Sequence, residues 1–266
     1  MSDRVVRVFD RLARRHTDES RFEQIALESL AEHLDPILIE PRTVVDVGGG
    51  GGATLARLTA RDRKARVVAG DASRQMVRAA RIAERGWRSR RRYLRADAER
   101  LPLADAVADL VVAHLVLPWV ANPGAALREM VRVARPGGLI MVSTFGDKSL
   151  SELDELNPPT HPRFRLPDMH ETGNAMVEAG CHDVVIDADR LTFRYRSLDR
   201  LRADLLAHGA LPAENHLAAG SALRASCGSL AGQFEHREEF DMTVELVFGH
   251  AWKRPPNSIA VDFGGG

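Results

Sequence analysis

The sequence has only two cysteines, Cys181 and Cys227, and neither sits in a CxxC or close to a histidine pattern. A structural zinc would need such spacing. No metal is therefore expected, and both thiols read as reduced, structural groups. Net charge is also missing, since 37 Lys and Arg balance 37 Asp and Glu. No global field then calls for a nucleic acid or an anionic membrane as partner, and any electrostatic recognition must be local. No apolar run is long enough for a signal peptide or a membrane span. A cytoplasmic protein with no membrane or nucleic-acid partner is the expectation. Repeats and low-complexity blocks are absent as well, which excludes solenoid and propeller arrays.

What is present is enough apolar residue, 44% of 266, to bury a substantial core. From Thr43 to about Phe145, short β-branched runs alternate with amphipathic helical patterns, the arrangement of a parallel, doubly wound α/β sheet. The predicted strands are Thr43 to Val47, Ala65 to Gly70, Arg91 to Arg95, Ala108 to His114 and Leu139 to Phe145, with four helical connections between them. Asn122-Pro123 opens the helix running to Ala134, and Pro136-Gly137-Gly138 stops it. Before the sheet, residues 1–40 read as a helical arm or lid, with one or two helices from Arg4 to Leu34. Residues 41–147 form the sheet core. Residues 148–266 supply a helical cap and the last strands, with a helix from about Asp168 to Gly180, a strand near Asp183 to Ile186 and another from Asp241 to Trp252.

The chemistry concentrates where the first strand, ending in Asp46, runs into five consecutive glycines, Gly48 to Gly52, and then a helix. Glycine lets a backbone turn tightly and approach a ligand closely. Amides at the helix start then meet a carboxylate or phosphate. The second strand finishes at Gly70-Asp71, where an acid is placed to hydrogen-bond ribose hydroxyls. These two features fit a dinucleotide as well as adenosylmethionine, because Gly48, Gly50 and Ala53 also satisfy the nicotinamide fingerprint. A third acid, Asp97, follows the third strand, where it could accept from an adenine amino group.

Taken in order, Asp46-x-Gly-x-Gly-x-Gly52, Asp71, Asp97-Ala98 with Leu101-Pro102, and Val133-Ala-Arg-Pro-Gly-Gly138 resemble the class I S-adenosylmethionine-dependent methyltransferases. The resemblance implies a Rossmann-like, mostly parallel seven-stranded sheet. It also implies a cofactor site at Asp46, Gly48, Gly50, Gly52, Asp71, Ala72, Asp97 and Ala98, with His114 and Leu115 flanking the transferable methyl. The flanks carry a narrower likeness. Val8-Phe-Asp-Arg-Leu-Ala-Arg-Arg15, Leu117-Pro-Trp119, Ser143 to Leu153, Asp168 to Gly173, Arg190 to Tyr195, Leu201 to Ala210 and Phe248 to Trp252 resemble the malonyl-[acyl-carrier protein] O-methyltransferases of biotin synthesis. That family implies malonyl-acyl carrier protein, or malonyl-CoA, as acceptor and a monomeric enzyme.

The implied reaction is physically coherent. A carboxylate with a reference pKa of about 4 is already ionised at neutral pH, so no general base is needed and no catalytic residue is assigned. Positioning carries the rate. Esterification removes a charge that an apolar elongation pocket could take up only at a large desolvation cost. For the acceptor, His16, Trp119, Arg163 and Arg165 are the candidate contacts, while the arginine run from Arg85 to Arg95 reads as a solvated face. Departures are visible too: Gly49 and Gly51 stand where relatives carry Cys and Thr, His16 replaces an aromatic residue, and Leu206 to Pro212 differs from the usual pattern. Other readings stay open, namely another carboxyl or small-molecule methyltransferase, the related protein-arginine hydroxylase assembly factor, a nicotinamide oxidoreductase, or a binding protein without turnover.

Overall fold

A computed structural model of the chain describes residues 1–13, 21–83, 91–149, 151–152, 166–197, 200 and 239–255. Runs of valine and alanine make β1 (Thr43–Val47), β2 (Arg66–Asp71) and β4 (Ala108–His114) nearly continuous apolar strands, as central parallel strands buried on both faces require. With β3 (Arg91–Arg95), β5 (Ala134–Phe145), β6 (Cys181–Tyr195) and β7 (Phe240–Lys253) they form a 7-stranded sheet in the order β3-β2-β1-β4-β5-β7-β6. The sheet is parallel from β3 to β5, and β7 runs antiparallel to both of its neighbours. This is the class I methyltransferase fold, with its strand order reversing between β1 and β4.

Alternation along the strands divides the core into two faces. Val45, Val47, Val111 and Ile140 pack on one side, under α5 (Pro123–Val133) and α6 (Met169–Glu178). Val44, Val67, Val112 and Met141 pack on the other, under α2 (Arg21–Leu34) and α3 (Ala53–Arg61). Helix ends follow the local chemistry. Asn122 caps α5 through Ala125 N–H with Pro123 behind it, and Asp168 and Glu171 close a capping box on α6. The arm supplies α1 (Asp3–Leu12) besides α2, and α4 (Arg74–Ala83) connects β2 to β3.

Three details depart from the sequence reading. The connection from β3 to β4 is a loop, not a helix, because Pro102 follows a turn held by the Asp97–Arg100 bridge. β5 begins at Ala134, ahead of Leu139, with Pro136, Gly137 and Gly138 absorbed as an irregularity opposite Ala108 and Leu110. Gly137 takes φ 73° there. β6 extends to Tyr195, far past Ile186, because its alternation continues along the edge of the sheet; Asp187, Asp189 and Arg190 there blunt that edge. His16, Arg163, Arg165, Cys227 and the predicted segment Leu198 to Gly232, apart from Arg200, lie outside the described residues.

Candidate active site

The cleft opens at the carboxyl ends of β1, β2 and β4, where ligands bind in open α/β sheets. Its floor is the glycine loop. Gly48 N–H donates to Gly70 O at 2.7 Å, Gly49 N–H donates to the same carbonyl at 3.1 Å, and Gly50 N–H donates to Asp71 Oδ2 at 3.1 Å. Two positions demand glycine for different reasons. Gly48 sits at φ 70°, and a Cβ there would meet Val116 Cγ2 at 2.3 Å. At Gly49 the limit is space, since a Cβ would lie 2.5 Å from Asp46 Oδ2.

That carboxylate is the site's most unusual group. Asp46 is 1% exposed, and neither oxygen has a hydrogen-bond partner. Burial, followed by repulsion from Asp71, pushes its pKa up to about 7. Asp71 is raised to about 6 by burial, against hydrogen bonds from Ser73 and Gly50 amides and with repulsion from Asp10 adding to the rise. A buried, unpartnered acid beneath the loop, Asp46, fits a ligand with a cationic end, while Asp71 is placed for a ribose. The residues therefore fit S-adenosylmethionine, which carries a sulfonium and an ammonium besides its ribose.

The walls come from four further elements. Ala96 and Ala98, after β3, provide a small apolar side; Ala72 and Met76 come from the start of α4. His114 and Leu115 border the cleft at the end of β4. His114 Nδ1 lies 2.7 Å from Ser143 Oγ, and Leu115 N–H donates 3.0 Å to Ser143 O and 3.3 Å to its Oγ. Ser143 is fully buried on β5, so it fixes the His114 ring from behind.

The arm closes the fourth side. Phe9 of α1 packs edge-to-face on Trp119, with centroids 4.8 Å apart and both residues facing the cleft. Trp119 is 5% exposed, so it fills the core and walls the cleft at once. Asp10 Oδ1 accepts from Ser73 Oγ at 2.5 Å and from Gln75 N–H at 3.2 Å, tying α1 to the start of α4. Leu27 of α2 completes this side.

Of the sequence-predicted residues, Gly48, Gly50, Asp71, Ala72, Ala98, His114, Leu115 and Trp119 line one cleft. Three do not. Asp46 lies beneath the loop, and Gly52 starts α3 with φ 98°. Asp97 turns its Oδ2 to the Met1 ammonium at 2.7 Å, an ion pair that Glu99 shares at 2.9 Å. Phe9, Leu27, Ser73, Met76, Val116 and Ser143 carry no site signal of their own in the motifs above. Only Ser73 left a local trace, as a helix-capping serine whose Oγ accepts from Met76 N–H at 3.1 Å.

Among the described residues no cluster of His, Cys, Asp and Glu is arranged to hold a metal, and no helix is long and apolar enough to cross a membrane. Burial raises the Cys181 thiol to about 11, which leaves it inert.

Comparison with known proteins agrees with this geometry. A family model described as a methyltransferase domain matches residues 45–142. A malonyl-[acyl-carrier protein] O-methyltransferase of Halorhodospira halophila is 34% identical over 257 residues, covering 93% of this chain and 86% of the relative. Another from Methylovorus sp. is 34% identical, covering 98% of this chain and 92% of its own length. Among solved structures, the [4+2]-cyclase SpnF shares the fold with TM-score 0.59 at 22% identity, covering 90% of this chain and 86% of that one.

Proposed function

The chain belongs to the malonyl-[acyl-carrier protein] O-methyltransferase family, and from that premise we propose that it methylates the free carboxylate of a malonyl thioester carried on acyl carrier protein, the opening of pimeloyl synthesis for biotin. By that family and by its methyltransferase domain it is an S-adenosylmethionine-dependent methyltransferase. The acceptor assignment rests on the extent of the likeness. Identity of 34% runs over 93% of the chain, whereas the methyltransferase domain occupies only residues 45–142. The likeness therefore includes the arm and the segments after β5, where an acceptor would be selected.

In this reading residues 1–40 form a lid, 41–147 hold the cofactor, and 148–266 shape the acceptor side. When bound, the cofactor supplies an electrophilic methyl on a sulfonium. Gly48 to Gly50 would seat its methionine end over Asp46, Asp71 would hold the ribose, and Ala72, Ala96 and Ala98 would flank the adenine, with Asp97 at its margin. His114 and Leu115, which border the cleft at the end of β4, would flank the transferable methyl. The acceptor carboxylate arrives ionised, so the protein's task is to aim it and exclude water. Phe9 and Trp119 supply the apolar cover, and His16, Arg163 and Arg165 remain candidate acceptor contacts. A cytoplasmic monomer fits the same reading.

Incubating the protein with S-adenosylmethionine and malonyl-acyl carrier protein tests it. Mass spectrometry should find one added methyl on the malonyl group. Gain of an oxygen on a protein arginine would favour the hydroxylase alternative, and cofactor binding without transfer to any malonyl thioester would contradict the proposal.

A further inference from the structure

We infer that the outward faces of α1 and α4 form the docking surface for the acidic carrier protein, through Arg7, Arg11, Arg74 and Arg78; the inference rests on the carrier-protein reading above. Arg7 and Arg11 lie one turn apart on α1, and Arg74 and Arg78 one turn apart on α4. All four are exposed, and none has an ion-pair or hydrogen-bond partner among the described residues. α4, Arg-Gln-Met-Val-Arg-Ala-Ala-Arg-Ile-Ala, contains no acid at all. On α1, Asp10 is turned inward to Ser73 and Gln75. The stripe's one other acidic neighbour on these two helices is the exposed Asp3, a turn before Arg7, so four guanidiniums face a single free carboxylate.

Position separates this stripe from a second basic surface among the described residues. The inner sides of the same helices wall the cleft, with Phe9 on α1 and Met76 on α4, while Asp10 and Ser73 lock the two helices together. A carrier seated on their outer faces stands at the rim of the site. Arg42, Arg63, Arg66 and Arg92 gather instead at the amino ends of β1, β2 and β3. Those strands place a full strand length of about 17 Å between that surface and the glycine loop. A substrate tethered to a carrier docked there would enter the sheet from the wrong end. An acidic helical partner facing unpaired guanidiniums gains on-rate and orientation from long-range attraction, and both depend on salt.

The test compares two acceptors with one enzyme. Malonyl-acyl carrier protein needs the docking surface, whereas malonyl-N-acetylcysteamine presents the same malonyl thioester on a short uncharged arm. In the full chain carrying Arg7→Glu, Arg11→Glu, Arg74→Glu and Arg78→Glu, KM for the carrier substrate should rise at least about tenfold. kcat at saturation, the parameters for the small thioester, Tm and S-adenosylmethionine affinity should stay unchanged. Replacing the four by Lys should restore most of the affinity. Added salt should raise the KM of the unmodified enzyme for the carrier and lower that of the charge-reversed enzyme, because it screens attraction in the first and repulsion in the second. An unchanged carrier KM would overturn the inference, as would equal losses on both acceptors, or the same loss from Arg63→Glu with Arg66→Glu alone. Duplex DNA retained by the stripe while carrier KM is unaffected would overturn it too. If the unmodified enzyme methylates neither thioester, the acceptor reading fails before docking is tested.

Discussion

Two aspartates on neighbouring central strands meet opposite fates. Asp109, near the start of β4, accepts from the backbone N–H groups of Arg42 and Thr43 at 2.9 and 2.8 Å and from the Arg135 guanidinium at 2.7 Å. Asp46, near the end of β1, has no partner and is buried. One end of the sheet satisfies its acid internally, as structure requires; the other leaves its acid to be satisfied by something that binds. Stability lives at the amino end of these strands and function at the carboxyl end.

Several changes would break or sharpen that contrast. The largest effect should come from Gly48→Ala, which combines an unfavourable φ with overlap on Val116. Loss of detectable S-adenosylmethionine binding by calorimetry is expected, and retained affinity would contradict the close-approach argument. Asp46→Asn should weaken the cofactor by at least about tenfold, or 1.4 kcal/mol, whereas Asp109→Ala should leave cofactor affinity intact and cost about 1–3 kcal/mol of folding stability in urea. Equal effects of the two on both measurements would erase the distinction.

Titration provides a third test, with opposite signs for folding and for binding. Asp46 and Asp71 have pKa values raised from 3.8 to about 7 and about 6. Over that window the folded protein holds protons that the unfolded chain has released, so the stability of the free protein should fall as pH rises from about 4 to 7. A cationic ligand favours the ionised carboxylates, so its affinity should rise over the same window. Thermal melts with and without ligand at pH 5.5 and 7.5 should therefore move apart as pH increases. The smallest effect belongs to the lid. Phe9→Ala removes an edge-to-face contact worth about 0.5–1.5 kcal/mol, and a modest rise in the cofactor Kd with unchanged kcat at saturation should follow.

How far the sequence reveals this arrangement depends on the range of the interaction. The glycine loop and Asp71 are legible because strand, turn and helix are local patterns, and only glycine tolerates the turn. Asp46 is legible in position but not in isolation, since its lack of a partner is a property of the folded surroundings. The His114–Ser143 contact joins residues 29 apart through the register of β4 against β5, which no spacing rule fixes. Phe9 on Trp119 is likewise tertiary. Asp97 reads as an adenine acceptor by order along the chain, and its ion pair with the Met1 ammonium, 96 residues away, is a tertiary contact that this order does not give. β6 runs longer than its sequence pattern suggests because an exposed edge strand carries charged residues that look like a loop.

The pH dependence of S-adenosylmethionine affinity, measured by calorimetry on the unmodified protein and on Asp46→Asn, tests the central claim most directly. Affinity should increase by about tenfold or more from pH 5.5 to 7.5 in the unmodified protein and be weaker and rise less steeply in the variant, where Asp71 alone still titrates over this window. A pH-independent affinity in the first, or an unaltered affinity in the second, would contradict the assignment of the unpartnered carboxylate to the cofactor.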